Sequence, residues 1–426
     1  MRSFLQPLAL LLCLWLCIVP GQTEETATKL FKDSFTFFQL LRQENGIYRD
    51  ALRFDGNHFH PASIATTGMG LVSLCIADRM GWIANGAELA ETTLRSLTGQ
   101  PPTFHPDRNA AGYFRHWLDL KTGARAWNSE YSSIDTAILV CGANFCKNYF
   151  SSPTIQTLVQ ELMGSIQWRN AIADPTRGTL YRELDAAGNG LASKTTTPYS
   201  EYILVAWLAW NEERQTQQDG PATALWTAFY ATRTPSMTHE YQGHTLLTDQ
   251  PGRFQSHFTV LFPYYLCHEY TVSTAYRQFM SNARQADQAW FALQEGRNPW
   301  EWGLGAGSVG YGSGYHADAI HNNSGIYCSP HIIAGFLPVY PEGLNDLLQS
   351  WDRRQGVHAL PASPAQVLWR HSVQNRTWRA QDIQGVDYAT LLFGLATLPE
   401  HAGSAFFQTF NALAIDPSSA AAWKTQ

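Results

Sequence analysis

The chain has 426 residues, of which 45% are hydrophobic and 15% are charged, and its formal net charge is −6. A chain of this length and composition can bury a large core, which excludes a disordered or fibrous protein. The acidic balance and the lack of any run of basic residues argue against a nucleic-acid partner.

The N-terminus has the pattern of a secretory signal. Arg2 precedes an apolar run from Leu8 to Val19, and polar residues follow. Because this run is shorter than the ~20 residues of a membrane-spanning helix, we expect residues 1–23 to be a signal peptide. The signal predicts a periplasmic or secreted protein without stable membrane insertion, and an uncleaved anchor is the alternative.

Helical periodicity dominates the rest of the chain. Several segments are apolar on more than one face, which suits helices packed between layers. Turn residues at Lys121–Gly123 and Pro175–Gly178 predict two short β-hairpins. Since the helices follow one another without a linker, the sequence predicts one all-α domain over residues 24–426, a helical toroid with hairpin insertions. The predicted helices are Thr28–Gln43, Ile64–Gly81, Ala87–Leu97, Ile134–Phe150, Thr154–Met163, Tyr202–Glu213, Ala222–Ala231, Phe258–Tyr270, Thr274–Gln294, Pro330–Phe336, Glu342–Ser350, Asp387–Leu398 and Ala402–Leu413.

The cysteines give no sign of a metal site. Five follow the signal, and they are scattered and mostly within apolar helical patterns: Cys75, Cys141, Cys146, Cys267 and Cys328. We expect buried free thiols, with at most one or two disulfides. Neither C-x-x-C nor H-E-x-x-H occurs, so the sequence predicts no bound metal and no cofactor.

Aromatic residues make up 13% of the chain, and several stand beside polar residues in predicted loops, above all in the glycine-rich stretch from Trp300 to Pro330. A flat ring beside a hydrogen-bonding side chain suits a sugar, which has an apolar face and a rim of hydroxyls. A long loop of this kind is usually functional. We therefore take seven residues as candidates for sugar contacts, with ordinary packing as the alternative for each: Tyr113, His116, Trp127, Trp300, Trp302, Tyr311 and His316.

Four segments resemble, in content and order, a family of bacterial (α/α)6 barrels described as glucoamylase-like, which includes the endo-β-1,2-glucanases of glycoside hydrolase family 144. The segments are "HPASIATTGMGLVSLCIADRMGWI" (60–83), "SEYSSIDTAILVCGANFCKNYF" (129–150), "YSEYILVAWLA" (199–209) and "IQGVDYATLLFGLA" (383–396). The glycine-rich stretch 302–342 also resembles a loop of this family. The resemblance covers nearly all of the mature chain and implies an (α/α)6 toroid.

The chain departs from the family at two places. Gly303–Ser308 contains no acidic residue, whereas the family loop reads Gly-Leu-Thr-Ala-Ser-Asp. Asp318, later in the same loop, is the candidate substitute. Tyr388 stands where the family has Gln after an aspartate, so a proton relay through neighbouring waters is not assumed there.

Acidic residues stand at three predicted helix starts: Asp135, Glu201 and Asp387. Capping alone explains each, because a carboxylate in the first turn opposes the positive end of the helix dipole. In a toroid, however, alternate helices run in the same direction, so their N-termini should form one acidic pocket. By resemblance, Glu201 is the general acid, Asp387 is the best candidate for the base, and Asp135 lines the cleft with Glu130. Asp135 is the second choice for the base.

The resemblance implies a monomeric, inverting glycoside hydrolase that cleaves within β-glucan chains, with β-1,2-linked glucan as the expected substrate. Glycoside hydrolysis needs one carboxylic acid to protonate the leaving oxygen and one carboxylate to activate water. Two alternatives stay open from sequence alone. One is a transglycosylase or phosphorylase on the same fold, and the other is a glycan-binding protein without activity.

Overall fold

The computed structural model describes residues 20–413 except residues 58, 216–219, 232–236 and 313. Helices dominate this range, as the sequence predicts, and a 3₁₀ turn (Trp168–Ala171) and a π turn (Trp226–Tyr230) accompany them. The α-helices are α1 Pro20–Leu41, α2 Ile64–Arg79, α3 Gly86–Leu97, α4 Ser133–Phe150, α5 Pro153–Gly164, α6 Ile203–Gln215, α7 Pro221–Leu225, α8 Phe258–Leu266, α9 His268–Thr271, α10 Thr274–Ala292, α11 Pro330–Gly335, α12 Gly343–Asp352, α13 Gly385–Ala396 and α14 Ala405–Phe410.

All the strands in the described range are short. They are β1 Ala51–Arg53, β2 Ala62–Ser63, β3 Trp117–Leu118, β4 Tyr131–Ser132, β5 Ile172–Asp174, β6 Thr179–Tyr181, β7 Glu183–Leu184, β8 Thr195–Thr196, β9 Thr238–Tyr241, β10 His244–Leu247, β11 Ala306–Ser308, β12 Tyr315–Ala317, β13 Tyr327–Cys328, β14 Val357–Ala359, β15 Gln366–Leu368, β16 His371–Ser372 and β17 Asp382–Gln384. Every pairing is antiparallel, and the largest sheet has three strands. These strands therefore do not form a separate layer beside the helices.

The predicted signal peptide, residues 1–23, falls mainly outside the described residues, and its last four residues belong to α1. Within the part of the chain that is described, no helix combines the length and the apolar character needed to cross a bilayer.

Six helices form a closed inner ring. Around it, α2 packs against α4, α4 against α6, α6 against α8, α11 against α13, and α13 against α2. The remaining contact joins α8 to α11, where the Tyr265 hydroxyl donates a hydrogen bond to the Gly335 carbonyl at 2.8 Å. Helices α1, α3, α5, α10 and α12 pack on the outside of this ring. The fold is the (α/α)6 toroid that the sequence predicts.

The contact between the inner helices α2 and α4 depends on two glycines. A Cβ atom at Gly142 of α4 would lie 2.1 Å from the Gly68 carbonyl oxygen of α2, and one at Gly68 would lie 2.6 Å from the Ile138 carbonyl oxygen. Any side chain at either position would separate the two backbones. The approach also brings the buried thiols of Cys75 and Cys146 to 3.4 Å, and all five described cysteines are unpaired.

The two ends of the ring differ. At the N-terminal end, short strands lead directly into the inner helices: β2 into α2, β4 into α4 and β17 into α13. At the C-terminal end, α14 covers the ring, and Phe407 contacts the rings of Phe145, Tyr265 and Phe393, which belong to three different inner helices. Aromatic packing by α14 therefore covers the C-terminal end of the ring.

Several predicted boundaries are corrected by the structure. The predicted helix Phe258–Tyr270 is interrupted at Cys267, whose backbone is extended (φ −116°, ψ 115°) and separates α8 from α9. The helix predicted over Ala222–Ala231 ends as a π turn. The hairpin predicted around Pro175–Gly178 is present as β5–β6, whereas the β9–β10 hairpin was not predicted.

Candidate active site

A cavity of about 980 Å³ opens at the N-terminal end of the ring. Five of the inner helices, α2, α4, α6, α8 and α13, contribute residues at or beside their N-termini to its wall: Ala65, Asp135, Glu201, Phe258 and Asp387. The three acids at predicted helix starts therefore share one cavity. They do so because parallel inner helices present their first turns to the same side.

Asp135 both caps a helix and faces the cavity. The Ser132 hydroxyl accepts a hydrogen bond from the Asp135 backbone N–H at 3.2 Å, and the Asp135 carboxylate contacts the same hydroxyl. Its other oxygen lies 3.6 Å from Nε2 of His116, whose Nδ1 lies 3.1 Å from the Glu130 carboxylate. Burial opposes protonation of His116, but the two carboxylates outweigh it and raise its pKa to about 9.

Glu201 lies in the turn that precedes α6, two residues before the first helical residue. Desolvation raises the pKa of Glu201 to about 7, and the negative charges of Asp249 and Asp135 add to the effect. No other side chain of the described residues donates a hydrogen bond to this carboxyl group. The setting therefore favours the protonated form, which is the form that a general acid needs.

Asp387 lies in the first turn of α13 and is only 2% exposed. Its Oδ2 atom accepts a hydrogen bond from the Tyr315 hydroxyl at 3.0 Å. Desolvation raises the pKa of Asp387 to about 7, whereas the Tyr315 hydrogen bond and the charge of Arg370 act in the opposite direction. Asp387 thus resembles Glu201 in the direction of its pKa shift, but it has a hydroxyl donor that stabilises its ionised form.

A second group of charged residues in the cavity escaped the sequence analysis. His60 lies 3.6 Å from Asp50 through Nδ1 and 3.7 Å from Asp382 through Nε2, distances that fit ion pairs better than hydrogen bonds. Burial works against the charge on His60, but the two carboxylates raise its pKa to about 9. Asp50 precedes β1 and Asp382 is the first residue of β17. Because the β1–β17 pair joins segments from opposite ends of the chain, no local pattern could reveal that the two acids meet.

Exposed aromatic rings form one side of the cavity mouth. Trp127 is 49% exposed and Phe59 is 56% exposed, although both are large apolar side chains. Trp117 contacts the Trp127 ring and stacks on His116, with ring centroids 5.1 and 3.8 Å apart. Exposed rings beside an acidic cavity can stack on the apolar face of a sugar.

The structure places the sequence-predicted contact residues in two groups. His116, Trp127, Glu130 and Tyr311 line the cavity together with the three acids. Four others lie outside its wall, which corrects the sequence-based assignment. Tyr113 and Trp302 are fully buried, the first donating to the Gln167 carbonyl at 3.0 Å and the second to Asp346 at 2.8 Å. The Trp300 indole donates to Gln355 at 2.7 Å, and His316 lies 2.7 Å from Asp318.

Asp318 does not replace the acid that is missing from Gly303–Ser308. It is fully buried, pairs with the buried Arg370, and lies outside the cavity wall. Ser308 lines the cavity instead, and its hydroxyl donates to the backbone carbonyl of Asp382 at 2.8 Å and contacts the Asp382 carboxylate. An acidic residue, Asp382, is thus present beside this loop, but it comes from β17.

The described residues contain one group that could hold a cation by distance, His116 with Glu130 and Asp135, whose donor atoms lie within 4.8 Å of one another. A ligating imidazole nitrogen must be deprotonated. Because the pKa of His116 is raised to about 9, a metal ion would have to displace a proton there at neutral pH. The group is arranged as a histidine between two carboxylates, which favour its protonated form.

The arrangement can support proton transfer to and from a bound molecule. One buried carboxyl group favours its protonated form, another is held by a hydroxyl donor, and both face a cavity with an aromatic rim. Two carboxyl groups with different surroundings are the requirement for paired general acid and base catalysis.

Neither a protein-family model nor a curated protein matches the chain. Solved structures do match its fold. An endo-β-1,2-glucanase from Chitinophaga pinensis, determined with sophorotriose and glucose, has a TM-score of 0.75 at 17% identity, covering 94% of this chain and 97% of that one. A β-1,2-glucanase from Parabacteroides distasonis has a TM-score of 0.70 at 14% identity, with 88% and 56% covered.

A fungal structure also matches. An endo-β-1,2-glucanase variant from Talaromyces funiculosus, determined with β-1,2-glucan, has a TM-score of 0.62 at 12% identity, covering 91% of this chain and 87% of that one. At these identities the comparisons establish that the chain has the glucoamylase-like (α/α)6 fold, which resembles that of endo-β-1,2-glucanases.

Proposed function

We propose that the protein is a glycoside hydrolase that cleaves within β-glucan chains. The observation that carries this proposal is the convergence of Asp135, Glu201 and Asp387 in one cavity with an exposed aromatic rim. The fold it shares with glucanases supports the same conclusion. A β-glucan suits this cavity, because its sugar rings can stack on the aromatic side chains and its hydroxyls can hydrogen-bond to the charged side chains.

Glu201 is the general acid in this proposal. Its carboxyl group lies in a poorly solvated position and near negative charges, so it keeps a proton close to neutral pH. It can therefore protonate the glycosidic oxygen as the leaving group departs.

Asp387 is the base. The Tyr315 hydroxyl at 3.0 Å and the charge of Arg370 favour its ionised form, and neither partner acts on Glu201 in the same way. An ionised Asp387 can accept a proton from the attacking water, directly or through a substrate hydroxyl. Asp135, held by Ser132 and paired with His116, is then free to bind sugar hydroxyls.

The finer part of the proposal is inverting cleavage of β-1,2 linkages. The support for the linkage is that the three glucanases named above act on β-1,2-glucan or carry that linkage in their names. Inversion requires room for a water molecule, so the carboxyl groups of Glu201 and Asp387 should be about 6.5–9.5 Å apart, or farther if a substrate hydroxyl relays the proton.

Digestion of defined polymers tests the proposal. Purified protein is incubated with linear β-1,2-, β-1,3- and β-1,4-glucans, and products are followed by chromatography and by ¹H NMR of the first anomer formed. We expect short oligosaccharides from β-1,2-glucan with an initial α-anomer. Product from another polymer alone would contradict the linkage. Turnover only with inorganic phosphate would indicate a phosphorylase, and binding without cleavage would indicate a glycan-binding protein.

The proposal includes export and a monomeric state. The N-terminal sequence supports export, because a basic residue precedes a short apolar run. Sequencing the N-terminus of protein recovered from the culture medium or the periplasm tests it, with cleavage near residue 23 expected. Size-exclusion chromatography with light scattering should give the mass of one chain.

A further inference from the structure

The glycine-rich loop forms a hairpin whose base is fixed to the helix that carries Asp387. Strands β11 and β12 pair antiparallel, with Ser308 opposite Tyr315. Ser308 donates to the Asp382 carbonyl of β17 at 2.8 Å and accepts at its own carbonyl from Arg370 at 3.0 Å. Because β17 runs directly into α13, the position of this hairpin is tied to the position of Asp387.

Tyr315 lines the cavity and reaches the buried carboxylate of Asp387. The tyrosine is 44% exposed, yet its hydroxyl reaches Asp387 Oδ2 at 3.0 Å, and Asp387 is only 2% exposed. The hairpin residues before it, from Val309 to Gly312, line the same cavity. A phenol can donate one hydrogen bond here, and an ionised carboxylate can only accept.

We propose that Tyr315 is a positioning residue for the base: its hydroxyl holds Oδ2 of Asp387 and leaves the second oxygen, Oδ1, to take the proton of the attacking water or of a relaying hydroxyl. The proposal rests on the proposed function. It adds a residue that the sequence analysis did not identify. A carboxylate fixed at one oxygen keeps its orientation, and orientation is what a general base must maintain at a buried position.

The charges around Asp387 determine the direction of the expected pH effect. Desolvation raises its pKa to about 7, Tyr315 and Arg370 lower it, and Asp50 raises it. The His60–Asp382 pair also faces the cavity, and His331 of α11 packs nearby but is kept neutral by burial. Tyr315 is thus the one hydroxyl donor to this carboxylate among the described residues.

Removing the hydroxyl should raise the pKa of Asp387. Tyr315→Phe removes a group that stabilises only the ionised carboxylate, so protonation becomes easier. Water can replace part of this hydrogen bond, so we expect the pKa of Asp387 to rise by roughly one unit. Since the base works when ionised, the acidic limb of kcat/KM should move to higher pH by a similar amount.

The decisive measurement does not depend on activity. Protein labelled with ¹³C at the aspartate carboxyl carbons is titrated by NMR, and the Asp387 signal is identified by its loss in Asp387→Asn. We expect this signal to titrate at higher pH in Tyr315→Phe than in the wild type. Tyr311→Phe is the matched control, because it removes a hydroxyl from the same hairpin that does not bond to Asp387. It should leave the titration unchanged.

An unshifted or lowered Asp387 titration in a folded Tyr315→Phe protein would overturn the inference. Circular dichroism checks the fold, which should survive because Tyr315 is 44% exposed and the substitution removes only one hydroxyl group. If no β-glucan is cleaved, the proposed function fails while the titration still decides the role of Tyr315. If glucan is cleaved but the acidic limb of the pH profile does not move, Tyr315 does not act through the base.

Discussion

Glu201 and Asp387 are both poorly solvated residues of the cavity wall, but their neighbours differ. Desolvation raises the pKa of each carboxyl group to about 7. Each carboxyl group has at least one acidic neighbour that disfavours ionisation and one arginine that favours it, Arg182 for Glu201 and Arg370 for Asp387. The feature that distinguishes Asp387 is the hydrogen bond from the Tyr315 hydroxyl. The proposed function therefore assigns the proton to Glu201 and the charge to Asp387.

This arrangement predicts the effect of neutralising either residue. Glu201→Gln and Asp387→Asn should each reduce kcat by roughly 10²- to 10⁴-fold, because each removes one proton-transfer partner while keeping the shape of the side chain. The measurement is kcat on β-1,2-glucan, with binding of an oligosaccharide measured separately. Glu88→Gln is the control, since Glu88 is an exposed first-turn acid on the outer helix α3. Near-normal turnover in a folded Glu201→Gln protein would contradict the assignment of Glu201 as the general acid.

The raised pKa of Glu201 also predicts a pH-dependent effect on stability. Its pKa is about 7 in the folded chain against an ordinary value of 4.5, so between these pH values the native state binds more protons than the unfolded state. Stability from this group therefore falls as pH rises through that window. Glu201→Gln removes this cost of ionising a desolvated carboxyl group. We therefore expect the Tm of the variant to exceed that of the wild type by roughly 2–4 °C at pH 8.

At pH 4 the same comparison should show almost no difference, because the glutamate is then protonated in both states. Thermal unfolding at the two pH values, followed by circular dichroism, makes the measurement. An equal difference at pH 4 and pH 8 would mean that the substitution acts through packing and not through the charge.

At the scale of the elements, the contact between α2 and α4 sets the geometry of the acidic end. Both helices begin with a serine cap, Ser63 and Ser132, at the end where the cavity opens. Gly68, about one turn into α2, and Gly142, roughly two and a half turns into α4, let the two backbones touch. The close contact holds the start of α4, and hence Asp135, at a fixed distance from α2.

Gly142→Ala should therefore destabilise the fold. The added methyl group would lie 2.1 Å from a backbone oxygen, which cannot move aside as a flexible side chain can. We expect a loss of about 1–3 kcal/mol in the free energy of unfolding, as for overpacked cores, measured by urea denaturation. Gly164→Ala in α5 is the control, because a Cβ there would meet no atom within 4 Å. Equal stability of the two variants would contradict the close contact.

At the scale of the whole molecule, the two ends of the toroid differ: the C-terminal end contributes to stability, and the N-terminal end carries the candidate catalytic residues. The C-terminal end of the ring is closed by α14 through aromatic packing, and Asn144 and Asn148 of α4 donate to the Ala412 carbonyl at 2.9 and 2.7 Å. The N-terminal end carries the acids and the open cavity. Substitutions at the closed end should therefore change stability without changing the chemistry.

Phe407→Ala tests this separation. Phe407 is fully buried and contacts rings from three inner helices, so its truncation should lower the free energy of unfolding by about 3–5 kcal/mol. The pH dependence of kcat/KM at 20 °C should match the wild type. A shifted pH profile in the folded variant would show that the two ends are coupled.

Local patterns in the sequence predicted the ring helices and the acids at their starts. Ser132 and Asp135 show why: a cap and a first-turn carboxylate precede an apolar helical run, and the structure places them accordingly. The gathering of Asp135, Glu201 and Asp387 at one end was also predictable. It follows from helices that run in the same direction around a ring.

Only the tertiary structure decided which other residues reach the cavity. Tyr113 and Trp302 stand beside polar residues in the chain, as Trp127 does, yet the first two are core residues and the third is exposed. Tyr315 meets Asp387 across 72 positions of sequence, and Asp50 lies beside a strand pair that joins residues 51–53 to 382–384. Local periodicity records which face of a helix is apolar, but the direction of a loop side chain depends on contacts between distant segments, which no local pattern contains.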